Sequence, residues 1–318
     1  MMEYFSINPN NINTFKSIYV SDDNKELLTR VLASSLSNKL EELDLSGCSN
    51  LKGILPVTKC HKLKKVNISK TQIKSIKSLN KCLLLEELII DNYIFYDIQN
   101  FLNLVKIEIN CNVGGIKYYT GEVIKVNNLP KLEIVKIYNK SCSKTYNLNK
   151  LVRNIFNQTT IKELYIEHMS ISINDFNNLI NLNKLKLINI NLDLLNTNTH
   201  AIHLLNLEKL VLIDCFDKNK IIKIFHNSIN IKYLAISYII ITCNYNKINN
   251  IDDILYLTNL EELHLDNTNI IFTQEIFDKL NTLEKLKKVY IYSELPENKI
   301  NFIPTNINYE FTNNYHNT

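Results

Sequence analysis

The chain of 318 residues has no tryptophan, only five glycines and only five prolines. Glycines this sparse and dispersed build neither G-x-x-x-x-G-K-(S/T) nor G-x-G-x-x-G, so no phosphate-cradling loop is encoded. A G-x-S-x-G elbow and an H-E-x-x-H pair are equally missing. No apolar run approaches the length of a membrane span. The start, Met1 to Asn10, lacks a charged segment followed by an apolar stretch, so no signal peptide is expected. No run of five basic residues occurs, and the net charge of +4 is spread as interspersed Lys and Glu, which argues against nucleic acid or an anionic membrane as partner. The seven cysteines form no C-x-x-C pair. With 45% hydrophobic and 21% charged residues the chain falls in the ordinary globular class. Asn, Ile, Leu and Lys dominate, as an AT-rich coding sequence would make them.

What is present is repetition. Leu40-Glu41-Glu42-Leu43-Asp44-Leu45-Ser46-Gly47-Cys48 returns almost unchanged as Leu260-Glu261-Glu262-Leu263-His264-Leu265-Asp266-Asn267-Thr268. Looser copies open at Leu63, Leu85, Leu104, Leu132, Ile161, Leu182, Leu207, Ile231 and Leu286, and in each, Leu, Ile or Val follows three and five positions later. Motif positions four and six are two apart on a short strand, so both point into one core, while position one packs from the preceding turn. No single copy can bury its apolar face alone, so the array folds by stacking.

The spacing L-x-x-L-x-L-x-x-(N/C) resembles the leucine-rich repeat. The resemblance implies an α/β solenoid with a curved parallel sheet on its concave face and helices or irregular turns on its convex face. It also implies a binding scaffold without catalysis or cofactor. Secreted members close their ends with cysteine clusters, which this chain lacks, so an intracellular, cytoplasmic location is expected. In composition and isolated arc the chain also looks like the leucine-rich-repeat gene families of entomopoxviruses and of AT-rich protists, a host-cytoplasmic setting in the viral case. Relatives that serve ubiquitin ligases carry an adaptor-binding module; residues 1–39 have neither the Leu-Pro start nor the Trp-containing end of an F-box. Two alternatives stand beside a protein-binding monomer: an inhibitor or adaptor of an enzyme, including a substrate adaptor of a ubiquitin ligase, and a surface adhesin.

The chain then divides into residues 1–39 with a capping helix at 24–37, repeats over 40–296, and a C-terminal cap and tail over 297–318. Ser21, Asp22 and Asp23, with Glu26 following, mark the start of that helix. Repeat lengths run from 19 to 29 residues. The longer ones have room for convex helices at 147–156, 172–180, 218–226, 250–257 and 273–280, whereas the repeat opening at Leu85 should carry only turns. Asn110 to Gly121 should loop out, and Pro296 should end the pairing. Position nine runs Cys48, Thr71, Tyr93, Asn112, Lys140, Met169, Ile190, Cys215, Ile239, Thr268 and Glu294. The family's Asn or Cys there bonds the turn backbone, so the Met and Ile repeats must satisfy it otherwise.

Candidate chemistry is thin. His200 and His203 are one helical turn apart but have too few companions for a zinc site. The sequons at Asn67, Asn139 and Asn157 are of the kind an Asn-rich chain produces by chance. The cysteines read as small core fillers, with a reactive thiol among them the alternative. Positions three, five and seven alternate with the core leucines and face outwards. They are polar through the fourth repeat, then turn apolar and aromatic. Ile188, Val211, Ile213 and Ala235 should cluster, rimmed by Tyr165, Tyr233, His264, Tyr290 and Tyr292, as a protein-binding patch. The alternative is that a neighbouring loop covers them.

Overall fold

The computed structural model describes residues 17–19, 38–91, 97–111, 124–139, 146–147, 152–193, 203–215, 222–238, 250–268, 270–292 and 307–311. The expected capping helix at 24–37, most of the 110–121 loop and His200 lie outside these residues. The chain forms two compact units, one of Met1–Ser141 with Asn149–Gln158, the other of Cys142–Leu148 with Thr159–Thr318.

In the first unit β1 (Ser17–Tyr19), β2 (Glu42–Asp44), β3 (Lys65–Asn67), β4 (Glu87–Asp91), β5 (Lys106–Cys111) and β6 (Ile134–Asn139) pair successively and in parallel. In the second, β7 (Glu163–Glu167), β8 (Lys184–Ile188), β9 (Lys209–Ile213), β10 (Tyr233–Ser237), β11 (Glu262–Asp266), β12 (Lys288–Tyr292) and β13 (Asn308–Phe311) do the same. Equivalent motif positions are register partners: Leu185 faces Leu210, which faces Leu234, which faces Leu263. The fold is a leucine-rich-repeat solenoid. Core positions one, four and six of all eleven repeats are buried, none more than 3% exposed. Each such side chain contributes roughly 1.5–3 kcal/mol of burial.

Two strands extend the array beyond the motif. β1 precedes the first repeat, where the sequence shows only scattered apolar residues. β13 pairs with β12 although Pro296 was expected to end the sheet. A proline removes only its own N–H from a ladder, so a strand that begins twelve residues further on, at Asn308, is unaffected.

The side opposite the main strands is less helical than expected. Where a helix was expected over 147–156, the described residues hold a strand at Val152–Arg153 and a 3₁₀ turn at Ile155–Asn157. Ser172 and Asp175 do form a capping box, but on a 3₁₀ segment, Ile173–Asn178. Ile222–Ile224 makes a single helical turn, and Ile254–Tyr256 is 3₁₀. Among the expected helices, α-helix of two turns appears at Gln274–Leu280. The repeat opening at Leu85 carries a short strand, Asp97–Gln99, in a second parallel sheet with Ile124–Asn127 and Val152–Arg153. Repeats this short leave few residues for the return path, and the 2.0 Å rise of 3₁₀ or the 3.3 Å rise of a strand covers the distance with fewer residues than α-helix.

In six of the repeats the turn after the strand rests on position eight rather than position nine. Gly47, Lys70, His168, Asn189, Asp214 and Asn267 all occupy position eight and all have φ between 48° and 83°. Gly, Asn, Asp and His are the residues that tolerate this left-handed region. Their turned backbone lets each N–H reach the next repeat: Gly47 donates to Ser69 O, His168 to Ile188 O, Asn189 to Ile213 O, Asp214 to Ser237 O and Asn267 to Tyr292 O, at 2.7–3.0 Å. Lys70 N donates instead to Asp91 Oδ2. Met169 and Ile190, at position nine, are freed to pack as core residues and are fully buried. The Met169 and Ile190 repeats therefore make this bond between turns without an Asn or Cys at position nine, while Ile239 lies outside the described residues.

A second ladder runs along the turn before the strands. Asn103, Asn181, Asn206, Asn230 and Asn259 each sit one residue before position one. Each donates its Nδ2 to a carbonyl of the preceding repeat, respectively Leu83, Thr159, Ile180, Leu205 and Ile229, at 2.7–2.9 Å. Lys131 and Lys285, at the same position one repeat on, donate to Asn103 Oδ1 and Asn259 Oδ1. At these positions the asparagines have a structural use that composition alone conceals.

Candidate functional site

The outward residues of the second unit fall into three rows set by strand register, of which position three gives Glu163, Lys184, Lys209, Tyr233, Glu262 and Lys288. Position five gives Tyr165, Lys186, Val211, Ala235, His264 and Tyr290 as successive partners; position seven gives Glu167, Ile188, Ile213, Ser237, Asp266 and Tyr292. Neighbours in a row are about 4.8 Å apart. Val211 therefore lies against Ala235, and Ile188 against Ile213. Ile188, Val211 and Ile213 are half-buried, and Ala235 is 5% exposed. The four expected aliphatic residues are brought together as a continuous floor.

The aromatic rim divides. On one side His264 stacks on Tyr290 with ring centroids 4.2 Å apart and planes at 16°, and Tyr233 stands 4.9 Å away on its other flank. Tyr292 lies 6.3 Å from His264, nearly parallel to it. His264 Nε2 is 2.6 Å from Glu262 Oε1, a bond that places the proton on Nε2. Nδ1 is buried and without a hydrogen-bond partner among the described residues. Tyr165 stands apart from this wall, four strands from His264, with Lys186 Nζ 5.4 Å from its ring centroid and its hydroxyl donating to Glu167. A further contact was not foreseen from the sequence: Lys209 Nζ stands 4.0 Å from the Tyr233 ring centroid. The two are direct register partners at position three of β9 and β10, so aligning the repeats already sets them side by side, and the structure adds that the ammonium lies over the ring.

The corresponding face of the first unit is tied together by polar bonds. Asn67 donates to Asp44 Oδ2, Glu87 pairs with both Lys65 and Lys106, and Asp91 is buried against the Lys70 turn.

Burial pushes the Cys60 thiol up to about 11 and those of Cys82 and Cys215 up to about 12, and it raises Cys111 as well. These four are core fillers. Cys48 is buried too, while Cys142 and Cys243 lie outside the described residues. His203 Nε2 meets Asn227 Nδ2 at 3.3 Å on an exposed turn. His226, stacked on Tyr256 at 4.2 Å, has its pKa lowered by burial, which outweighs the nearby Asp253 carboxylate.

A lowered folded pKa means that the unfolded chain binds the proton more tightly. The stability His226 contributes is therefore complete above its unfolded value, roughly 6.5, and is lost as pH falls through the folded value. The denaturation midpoint of the wild-type chain should drop more steeply below neutral pH than that of His226→Gln. Parallel pH profiles for the two would refute this.

No protein-family model matches the chain, and no curated protein matches it. Among solved structures it is similar to an internalin (inlF) from Listeria monocytogenes, at 17% identity and a TM-score of 0.48, over 95% of this chain and 88% of that one. It is also similar to an internalin C2 (inlC2) from Listeria monocytogenes, at 16% identity and a TM-score of 0.42, over 84% of this chain and 91% of that one. The likeness to entomopoxvirus and protist repeat families is not supported by these comparisons. No helix among the described residues is long and apolar enough to cross a membrane.

Proposed function

We propose that the second unit is a non-catalytic recognition surface that binds a protein partner on the outward face of β8 to β12. The observation that carries this reading is the aliphatic floor of Ile188, Val211, Ile213 and Ala235 beside the stacked Tyr233, His264, Tyr290 and Tyr292. A solvent-side sheet face needs neither group for folding, because the core lies on the other side. Apolar floors beside tyrosines are the composition of interface centres, where Tyr supplies a large contact area and keeps a polar end. The non-catalytic half of the reading rests on His264, whose Nε2 is held by Glu262 and whose Nδ1 is buried, leaving no ring nitrogen for a reacting group.

The test is Val211→Asp combined with Ile213→Asp. Tagged wild-type and variant chains are recovered from the native cell and co-purifying proteins identified by mass spectrometry, with circular dichroism confirming the fold. A partner captured by the wild type should fall by at least about tenfold with the variant, since hot-spot residues contribute about 2 kcal/mol or more. Equal capture by a folded variant would remove the face from the interaction.

A further inference from the structure

Resting on that reading, we propose that the occupant of this face is a protein segment in extended conformation that offers a carboxylate to Lys184 and Lys209 and aliphatic side chains to Val211 and Ile213.

The first support is a like-charge pair that the fold does not require. Lys184 and Lys209 are direct register partners on β8 and β9, both at position three and both exposed. Like charges placed opposite each other across a ladder are unfavourable. The outward positions of β8, β9 and β10 carry three lysines, Lys184, Lys186 and Lys209, and no acid. Glu163 answers Lys184 at 2.7 Å, but Lys209 rests over the Tyr233 ring, which orients its charge without cancelling it.

The second support is that the acids elsewhere on this face are engaged. Glu167 lies 3.4 Å from His168 Nε2, Glu262 holds His264, and Asp266 accepts from Ser237 Oγ at 2.7 Å. At the floor's edge, Glu208 is held by Lys232 at 2.9 Å. These carboxylates keep their charge, but Glu167, Glu262 and Asp266 stand on the flanking strands β7 and β11; on β8 to β10, where the aliphatic floor lies, the outward charge is positive, and its complement is an anion.

Spacing selects a protein anion. Along β9 the outward order is Lys209, Val211, Ile213, a step of two residues or about 6.6 Å, which is also the same-face step of an extended peptide. A segment with an acid and then two aliphatic residues at alternate positions matches charge to charge and floor to floor. A nucleic-acid strand matches the charge but brings no aliphatic group.

The probes are fluorescein-labelled peptides of alternating pattern, Asp-Ser-Leu-Ser-Leu, its Lys-Ser-Leu-Ser-Leu counterpart and Asp-Ser-Ser-Ser-Ser, titrated with the full chain by fluorescence anisotropy. The acidic aliphatic peptide should bind at least tenfold more tightly than either counterpart, and weaken as salt is added. Lys209→Glu should remove that preference, and Val211→Asp with Ile213→Asp should abolish binding. Equal binding of the Asp and Lys peptides, or a Lys209→Glu variant with unchanged affinity, overturns the inference. If that equal binding is lost in the aspartate pair, the face remains a binding surface and only the charge selection falls. If binding survives the aspartate pair, the peptide sits elsewhere and the reading of the face falls too. Equal competition by single-stranded DNA overturns the aliphatic half of the recognition, and no binding up to about 1 mM overturns the inference whole.

Discussion

Phe277→Ala is expected to destabilise the second unit by about 3–5 kcal/mol, the range for emptying a buried aromatic site. Phe277 is fully buried on the helix Gln274–Leu280. Its ring stands 6.0 Å from Phe272 and meets Tyr309 of β13 edge-on at 5.0 Å. The cost should therefore reach beyond the helix. Amide exchange should accelerate along β13, because removing the ring withdraws the edge that Tyr309 packs on. Ile271, three-quarters exposed in the same repeat, is the control: its alanine variant should stay within about 0.5 kcal/mol of wild type. Urea denaturation followed by circular dichroism gives the comparison, since the chain has no tryptophan to report. Equal midpoints for the Phe277 and Ile271 variants would mean that the helix does not anchor the end of the sheet.

The contrast between those two side chains marks how far the sequence could be read. Positions one, four and six announce themselves because burial repeats wherever the motif does. Leu286, Val289 and Ile291 are as legible as Leu40, Leu43 and Leu45. Alternation likewise puts Val211 and Ile213 outside. What alternation cannot supply is how two outward neighbours orient, so the Lys209 ammonium over the ring of its register partner Tyr233 became visible only in the structure. The return segments misled because a helical spacing of apolar residues fits a 3₁₀ turn almost as well over five residues. Leu148, Leu151, Val152, Ile155 and Phe156 satisfy it, yet Val152 lies in a strand. The C-terminal strand Asn308–Phe311 was hidden because it lacks the leucines of the motif. The asparagines were hidden in the opposite way: a residue so common in the chain carries little information at any one position until the hydrogen bonds single out Asn181, Asn206 and Asn230.

The two units also solve the outward face differently. In the first, Asp44 to Asn67 and Glu87 between Lys65 and Lys106 use up polar groups on one another. Such exposed pairs contribute little stability, on the order of 0–1 kcal/mol each, but they leave few groups with anything to offer a partner. In the second, aliphatic side chains and tyrosines take the same positions, and the lysines beside them are steered by rings. In the proposed recognition surface the apolar contact area lies on β8 to β12, with charged side chains at its margin.

Asn189→Val should cost about 2–3 kcal/mol although it removes no core contact. Asn189 sits at position eight with φ of 48°, and its N–H donates to Ile213 O at 2.7 Å. The left-handed conformation costs an ordinary L-residue about 1–2 kcal/mol, and a β-branched residue fits it worst. Valine also loses the amide that meets His168 Nδ1 at 2.9 Å, a bond contributing about 1 kcal/mol. Asn189→Gly keeps the backbone at ease and loses only that bond, so it should cost about 1 kcal/mol. At the next residue, Ile190→Val trims a buried methyl group from the position where the family's signature asparagine or cysteine would stand, at about 0.5–1.5 kcal/mol. The expected order of stability is therefore wild type, then Asn189→Gly and Ile190→Val together, then Asn189→Val. Chemical denaturation of the four proteins decides it. If Asn189→Val proves no worse than Ile190→Val, the turn does not depend on position eight, and the hydrogen bond between successive turns must tolerate a right-handed backbone.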